Sequence, residues 1–254
     1  MTSPYHIVIP ARLASQRLPN KPLAEIAGRT LIEHVYRRAC EANAESVIIA
    51  TDSEEIHQRA EAFGAVALIT SAEHVSGSDR LAECVEKMGW DEKTLIVNLQ
   101  GDEPLMPAAC LDQVAELLQA APDAAAASLF YPIHSAREIN DSNVVKVVVD
   151  SSGRALYFSR AVIPHARGKS IEEALAGGFS WKRHVGLYAY RAGALRAFSK
   201  MKPGDLEDIE KLEQLRFLEA GYRMVLASAV AFIPAGVDTP DDLDRVRRAL
   251  AVTD

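Results

Sequence analysis

The chain has 254 residues, 48% of them hydrophobic and 25% charged, which supplies a sizeable core and excludes a disordered, collagen-like or coiled-coil protein. Its 28 Lys and Arg against 35 Asp and Glu leave a formal charge of −7, which disfavours a nucleic-acid partner, because phosphate backbones are met by surplus cations. Cys40, Cys84 and Cys110 are widely spaced and unpaired in pattern, so neither a disulfide framework nor a zinc site is expected.

The N-terminal apolar run stops at Arg12 and is too short for a signal peptide, and no segment reaches the length of a membrane span, so a cytoplasmic protein with no membrane partner is expected. Residues 5–11 read as a buried strand, 29–43 as a helix, 46–51 as a strand and 53–63 as a helix. Strands at 66–70 and 94–100 continue the series, with a helix over 79–88 between them. This alternation with continuous apolar strands predicts an α/β fold whose mostly parallel sheet is covered on both faces. Beyond about residue 123 the rhythm changes to strands at 124–131, 144–150, 154–160 and 184–191, with Ser151-Ser152-Gly153 as a hairpin turn. A helix over 205–220, a strand near 224–227 and a helix opened by Pro240 complete the chain. No repeat or linker divides it. One domain over 1–254 is expected, with a core of about 1–122 and 223–254 and a smaller mixed-sheet insertion of about 123–222.

The loop leaving the first strand, Pro10 to Leu23, carries Arg12, Arg17 and Lys21 together with Ser15, Pro19, Asn20 and Pro22. It departs from the carboxyl edge of the sheet, where open α/β folds bind ligands. Guanidinium forks and a compact ammonium suit phosphate groups, and the flanking prolines stiffen the Lys21 segment. Neither a P-loop nor a G-x-G-x-x-G motif is present, which disfavours kinase-like and dinucleotide-dependent enzymes. Asp102 follows Gly101 at the end of the strand over 94–100, at the same edge and suited to Mg²⁺ held by a triphosphate. Asp238 precedes Thr239-Pro240, with Asp242 completing a capping-box pattern; the cap leaves Asp238 over for a separate role.

In the second half, Arg160 ends an apolar strand, a good place to grip a carboxylate. Alternation puts His184, Gly186, Tyr188 and Tyr190 on one face. In the helix over 205–220, Glu213 falls on the stripe formed by Leu206, Ile209 and Phe217. A carboxylate there needs either a ligand or an ion-pair partner such as Arg216.

The segments PARLASQRLPNKPL, HVSGSDR, VNLQGDEP, ALYFSR, HVGLYAYR, LEDIEKLEQLR and GVDTPDDL together resemble the CMP-KDO synthetases, the cytidylyltransferases of 3-deoxy-D-manno-octulosonate (KDO). The resemblance runs from Ile7 to Val246 and departs from the pattern at Asn20, where Gly is usual; Asn tolerates the same positive φ. It implies a Rossmann-like, GT-A-like nucleotidyltransferase fold of three layers, a homodimer formed through the second-half sheet, and CTP and KDO as substrates. It further implies nucleotide contacts from Pro10, Ala11, Arg12, Ser15, Arg17, Lys21, Ser76, Arg80 and Asp102. Arg12 and Lys21 would be the main triphosphate cations, and Asp102 and Asp238 the ligands of Mg²⁺. The KDO pocket would take Gln100, Arg160, His184, Tyr188, Glu213 and Gln214. Other acid sugars, such as an 8-amino analogue or sialic acid, and a CTP sensor without catalysis remain open on this reading.

Overall fold

The computed structural model describes residues 4–13, 18–74 and 76–251. Four parallel strands form one half of the main sheet: β1 (Tyr5–Ala11), β4 (Ser46–Thr51), β5 (Val66–Ile69) and β6 (Leu95–Asn98). A two-stranded ribbon of β2 (Glu25–Ile26) and β3 (Arg29–Thr30) interrupts them in sequence. The other half holds β7 (Ala126–Ile133), β10 (Trp181–Arg191) and β11 (Met224–Ser228). The spatial order is β11-β7-β10-β6-β1-β4-β5. Within this row only β10 runs against its neighbours. A hairpin of β8 (Lys146–Val149) and β9 (Ala155–Ser159) attaches through β10. Its turn, at residues 151–153, is the one expected from Ser151-Ser152-Gly153.

Alternate residues of each strand feed two cores, which makes the molecule three layers deep. Ile7 and Ile9 face helices α1 (Leu31–Ala39), α2 (Glu54–Ala62) and α4 (Ala108–Gln119). Val8 and Ile96 face α3 (Gly77–Met88). Two short helices, α5 (Ala136–Asn140) and α6 (Ile171–Ala176), pack with Trp181 in a small separate cluster. Helices α7 (Ala192–Phe198), α8 (Asp205–Glu210) and α9 (Gln214–Glu219) complete the α3 side, and α10 (Pro240–Leu250) packs on the β2–β3 ribbon. Each fully buried Ile or Leu contributes roughly 1.5–3 kcal/mol. Among the described residues no helix is long and apolar enough to cross a membrane.

Helix α4 was not expected. Its signal is present in Cys110, Leu111, Val114, Ala115 and Leu118, all buried on one face. The helix expected over 29–43 is shorter, because Arg29 and Thr30 pair with Ile26 and Glu25 and Thr30 then caps α1. The single helix expected over 205–220 is two. It breaks at Lys211, whose φ of 53° and ψ of 50° lie in the left-handed region. Ile209 is consequently 80% exposed, off the stripe it was expected to share, while Phe217 is buried. At the break the carboxylate of Glu210 accepts from the Ser159 hydroxyl and, at 2.9 Å, from the Arg160 amide, which ties the end of α8 to β9.

Candidate active site

The loops at the carboxyl ends of β1 and β6 meet at van der Waals contact. An added Cβ on Gly101 would lie 2.8 Å from the Pro10 carbonyl oxygen. Gly101→Ala must therefore push the two loops apart. Its expected cost is about 1–3 kcal/mol by urea denaturation, and an unchanged midpoint would show that the loops have slack.

Beyond Gly101, the Asp102 carbonyl accepts from the Val237 amide at 2.8 Å, so the Gly236–Asp238 segment is strapped to the β6 loop by its backbone. Asn20 adopts φ 54° and ψ 30°, the turn expected of it, and opens the short 3₁₀ turn Lys21–Leu23. Lys21 thereby reaches across both acidic segments. Its Nζ lies 2.6 Å from Asp102 Oδ2 and 3.1 Å from Asp238 Oδ1. Burial works against the ammonium, but the two carboxylates outweigh it and raise the Lys21 pKa. On the α10 side, Thr239 and Asp242 form the expected capping box.

Two aspartates 136 positions apart in sequence thus address one cation position. Among the described residues no cluster of three or more His, Cys, Asp or Glu could hold a metal. A pair of carboxylates is nevertheless the donor set that suits Mg²⁺, which keeps waters and takes further oxygens from a triphosphate. Asp102 and Asp238 would hold it.

Glu103 lies immediately beside this pair. Its Oε2 is enclosed without a hydrogen-bond partner, and burial, reinforced by Asp102, pushes its pKa up to about 8. The folded chain therefore keeps a proton that an unfolded Glu releases above its ordinary value near 4.3. Stability should fall as pH rises from there to about 8. Glu103→Gln, measured in EDTA, should flatten that decline in thermal midpoint between pH 5 and 8. Parallel curves for the two proteins would contradict it.

A cleft of about 480 Å³ opens on the same edge, lined by Arg12, Gln100, Tyr188, Glu213 and Gln214 among others. A smaller recess of about 110 Å³ continues from it, lined by Pro10, Ala11, Arg12, Ser76, Arg80 and Gln100, with His74. Arg80 is 3% exposed and fully engaged: it meets Asp52 at 2.8 Å, the Thr70 hydroxyl and the Ser71 carbonyl. It shapes the recess wall as a fixed cation. Ser76 caps α3, its hydroxyl accepting from the Asp79 amide at 3.1 Å, which leaves the positive end of a twelve-residue helix at the recess. Sequence reasoning missed His74, held 2.6 Å from Glu83. Burial opposes charge on Glu83, yet the Ser71 amide, Lys87 and His74 hold its carboxyl at about 2.

On the opposite wall, Glu213 accepts from the Ser78 hydroxyl at 3.1 Å. Its side chain is open to the cleft, but desolvation by the surrounding walls raises its pKa, outweighing Ser78 and Arg216. The candidate ion pair with Arg216 does not form: Arg216 makes two 2.5 Å bonds to Glu207 and lies 4.1 Å over the Phe198 ring. Ser78 and Lys211 also line the cleft and were not singled out from sequence.

β10 keeps its alternation through an irregularity between Val185 and Tyr188, so His184, Tyr188 and Tyr190 form a continuous row of rings 5.3 Å and 5.5 Å apart. His184 stands behind Tyr188 and outside the cleft lining, 3.0 Å from the Ser128 hydroxyl. Burial lowers its pKa to about 3 and keeps it neutral. Arg160 is not brought into the cleft. Its guanidinium donates to the Glu210 carbonyl at 2.8 Å and the Ser142 carbonyl at 3.2 Å, and its own carbonyl accepts from the buried Lys146 ammonium at 2.6 Å. Ser15 and Arg17 lie outside the described residues.

The model of a family described as "Cytidylyltransferase" matches residues 6–225. A 3-deoxy-manno-octulosonate cytidylyltransferase of Xanthomonas campestris pv. campestris (strain 8004) is 49% identical over 248 residues, covering 96% of this chain and 99% of that protein. One of the same description from Pseudomonas syringae pv. syringae (strain B728a) is 46% identical, covering 98% and 99%. Among solved structures, a CMP:2-keto-3-deoxy-manno-octonic acid synthetase complexed with CTP superposes with a TM-score of 0.90 at 39% identity, covering 99% of this chain and all of that one. A 4-diphosphocytidyl-2C-methyl-D-erythritol synthase, 15% identical with a TM-score of 0.62, shares the fold. With its two acidic loops meeting at Lys21 and the cleft beside them, this chain belongs to the 3-deoxy-manno-octulosonate cytidylyltransferases.

Proposed function

We propose that the chain transfers the cytidylyl group of CTP to KDO, giving CMP-KDO and pyrophosphate, with Mg²⁺ as its cofactor. The observation that carries the reading is the convergence of Asp102 and Asp238 on the Lys21 ammonium, beside the joined cleft and recess. In the reaction the anomeric oxygen of KDO bonds to the α-phosphorus, the α–β phosphoanhydride breaks, and the hydroxyl proton is released. Asp102 and Asp238 would hold Mg²⁺, which when bound would neutralise charge on the phosphates and lower the pKa of the attacking hydroxyl.

The chain's own residues do the rest. Arg12 meets the triphosphate at the junction of recess and cleft, and Lys21 offsets charge growing on the leaving group. Pro10, Ala11, Ser76 and Arg80 enclose the nucleotide. Gln100, Tyr188, Glu213 and Gln214 face the acceptor, with His184 buttressing Tyr188. The second-half surface exposes Leu156 and Phe179, which supports a homodimer through that part.

Pyrophosphate release is the test. It should require CTP, KDO and Mg²⁺ together and cease with EDTA. Faster release with sialic acid or an 8-amino analogue would reassign the acceptor. Binding of CTP without turnover on any acid sugar would make the chain a sensor.

A further inference from the structure

Asn98 ends β6 on the cleft floor and is 3% exposed. Its Oδ1 is enclosed and has no hydrogen-bond partner. In the sheet it lies opposite Val8 on one side and Tyr188 on the other, and its side-chain amide presents to the cleft the nitrogen end, which is not enclosed as Oδ1 is. A buried amide without a partner costs free energy that an apolar residue of the same size would not. Leu95, Ile96 and Val97, which precede it in the strand, are all buried and apolar. A polar side chain at the next position therefore demands a partner from outside the chain.

The place of the amide narrows the partner. Asn98 lines the larger cleft with Tyr188, Glu213 and Gln214 and not the recess formed with His74 and Arg80, and its cross-strand neighbour is Tyr188. That puts it at the acceptor end. A hydroxyl both donates and accepts, so it can satisfy either end of the amide whichever way the group is turned, whereas a carboxylate only accepts. We propose that Asn98 recognises a hydroxyl group of the acceptor sugar and so contributes to acceptor specificity. This rests on the acid-sugar reading above.

The test compares the unmodified protein with Asn98→Leu and Asn98→Ala, using pyrophosphate release with KDO and with a set of its monodeoxy analogues. Both variants should raise KM for KDO at least about tenfold while leaving KM for CTP within about twofold. One monodeoxy analogue should be a poor substrate for the unmodified protein yet as good as KDO for Asn98→Leu. The thermal midpoint of Asn98→Leu should equal or exceed that of the unmodified protein, since an unpaired polar group has been removed. Unchanged KM for KDO, or an equal rise in KM for CTP that points to the ribose, would overturn the assignment. So would a lowered midpoint with unaltered discrimination, the mark of a packing role. Absence of turnover by the unmodified protein with KDO is a different failure: it overturns the acceptor reading itself.

Discussion

Replacing Asp102 by Asn is expected to cut kcat by about 10³-fold or more, roughly 4 kcal/mol of transition-state stabilisation, while the fold persists. The substitution keeps size and shape, and the strap from the Val237 amide is made to the Asp102 backbone carbonyl, which does not change. What is lost is one of two carboxylates sharing a cation position, leaving Asp238 as the only anion of the pair. An Asn oxygen is a poor ligand for a hard divalent ion that binds through few protein groups. Circular dichroism and the thermal midpoint should stay close to those of the unmodified protein. Turnover within tenfold of normal would remove Asp102 from the metal site.

Lys21→Met is expected to lower kcat/KM for CTP by about 10²- to 10⁴-fold and to make stability depend on Mg²⁺. Without the ammonium, Asp102 and Asp238 are left facing one vacated position, each having lain within 3.1 Å of the same nitrogen. Their repulsion should cost about 1–2 kcal/mol, a figure kept low because Asp238 is half open to solvent. Added Mg²⁺ should then raise the thermal midpoint of the variant by several degrees more than it raises that of the unmodified protein, whose Lys21 competes for the same position. The sign with pH is clear: the Lys21 pKa is raised, so the contribution of the pair is complete below the ordinary value near 10.4 and fades only in strong alkali. An equal response of both proteins to Mg²⁺ would show that lysine and metal do not share a position.

The parts of the site written into local sequence were legible. Asn20 at positive φ, the Thr239–Asp242 capping box and the hairpin at residues 151–153 each depend on a few neighbouring residues whose conformational preferences act at short range. Long-range partners were not legible. The motif around Arg160 suggests a free cation at a strand end, but its hydrogen bonds go to carbonyls of Ser142 and Glu210, positions that only the packing of β9 against α8 brings together. Arg80 is likewise claimed by Asp52 from a different strand loop. The break at Lys211 had no Gly or Pro to announce it, and the contacts made there, such as the Arg160 amide donating to Glu210, come from a distant strand. The same blindness hid the bridge of Lys21 to both aspartates, since sequence places three residues at one sheet edge without saying that one would span the other two.

Calorimetric titration of CTP into the protein, with Mg²⁺ and again with EDTA, reaches the shared aspartate site most directly when repeated on Asp102→Asn, Asp238→Asn and the double variant. The unmodified protein should bind CTP at least about tenfold tighter with the ion present, and each single substitution should abolish most of that gain, leaving little for the second to remove. A Mg²⁺-dependent gain that survives in the double variant would contradict the assignment of Asp102 and Asp238 as the metal-holding pair.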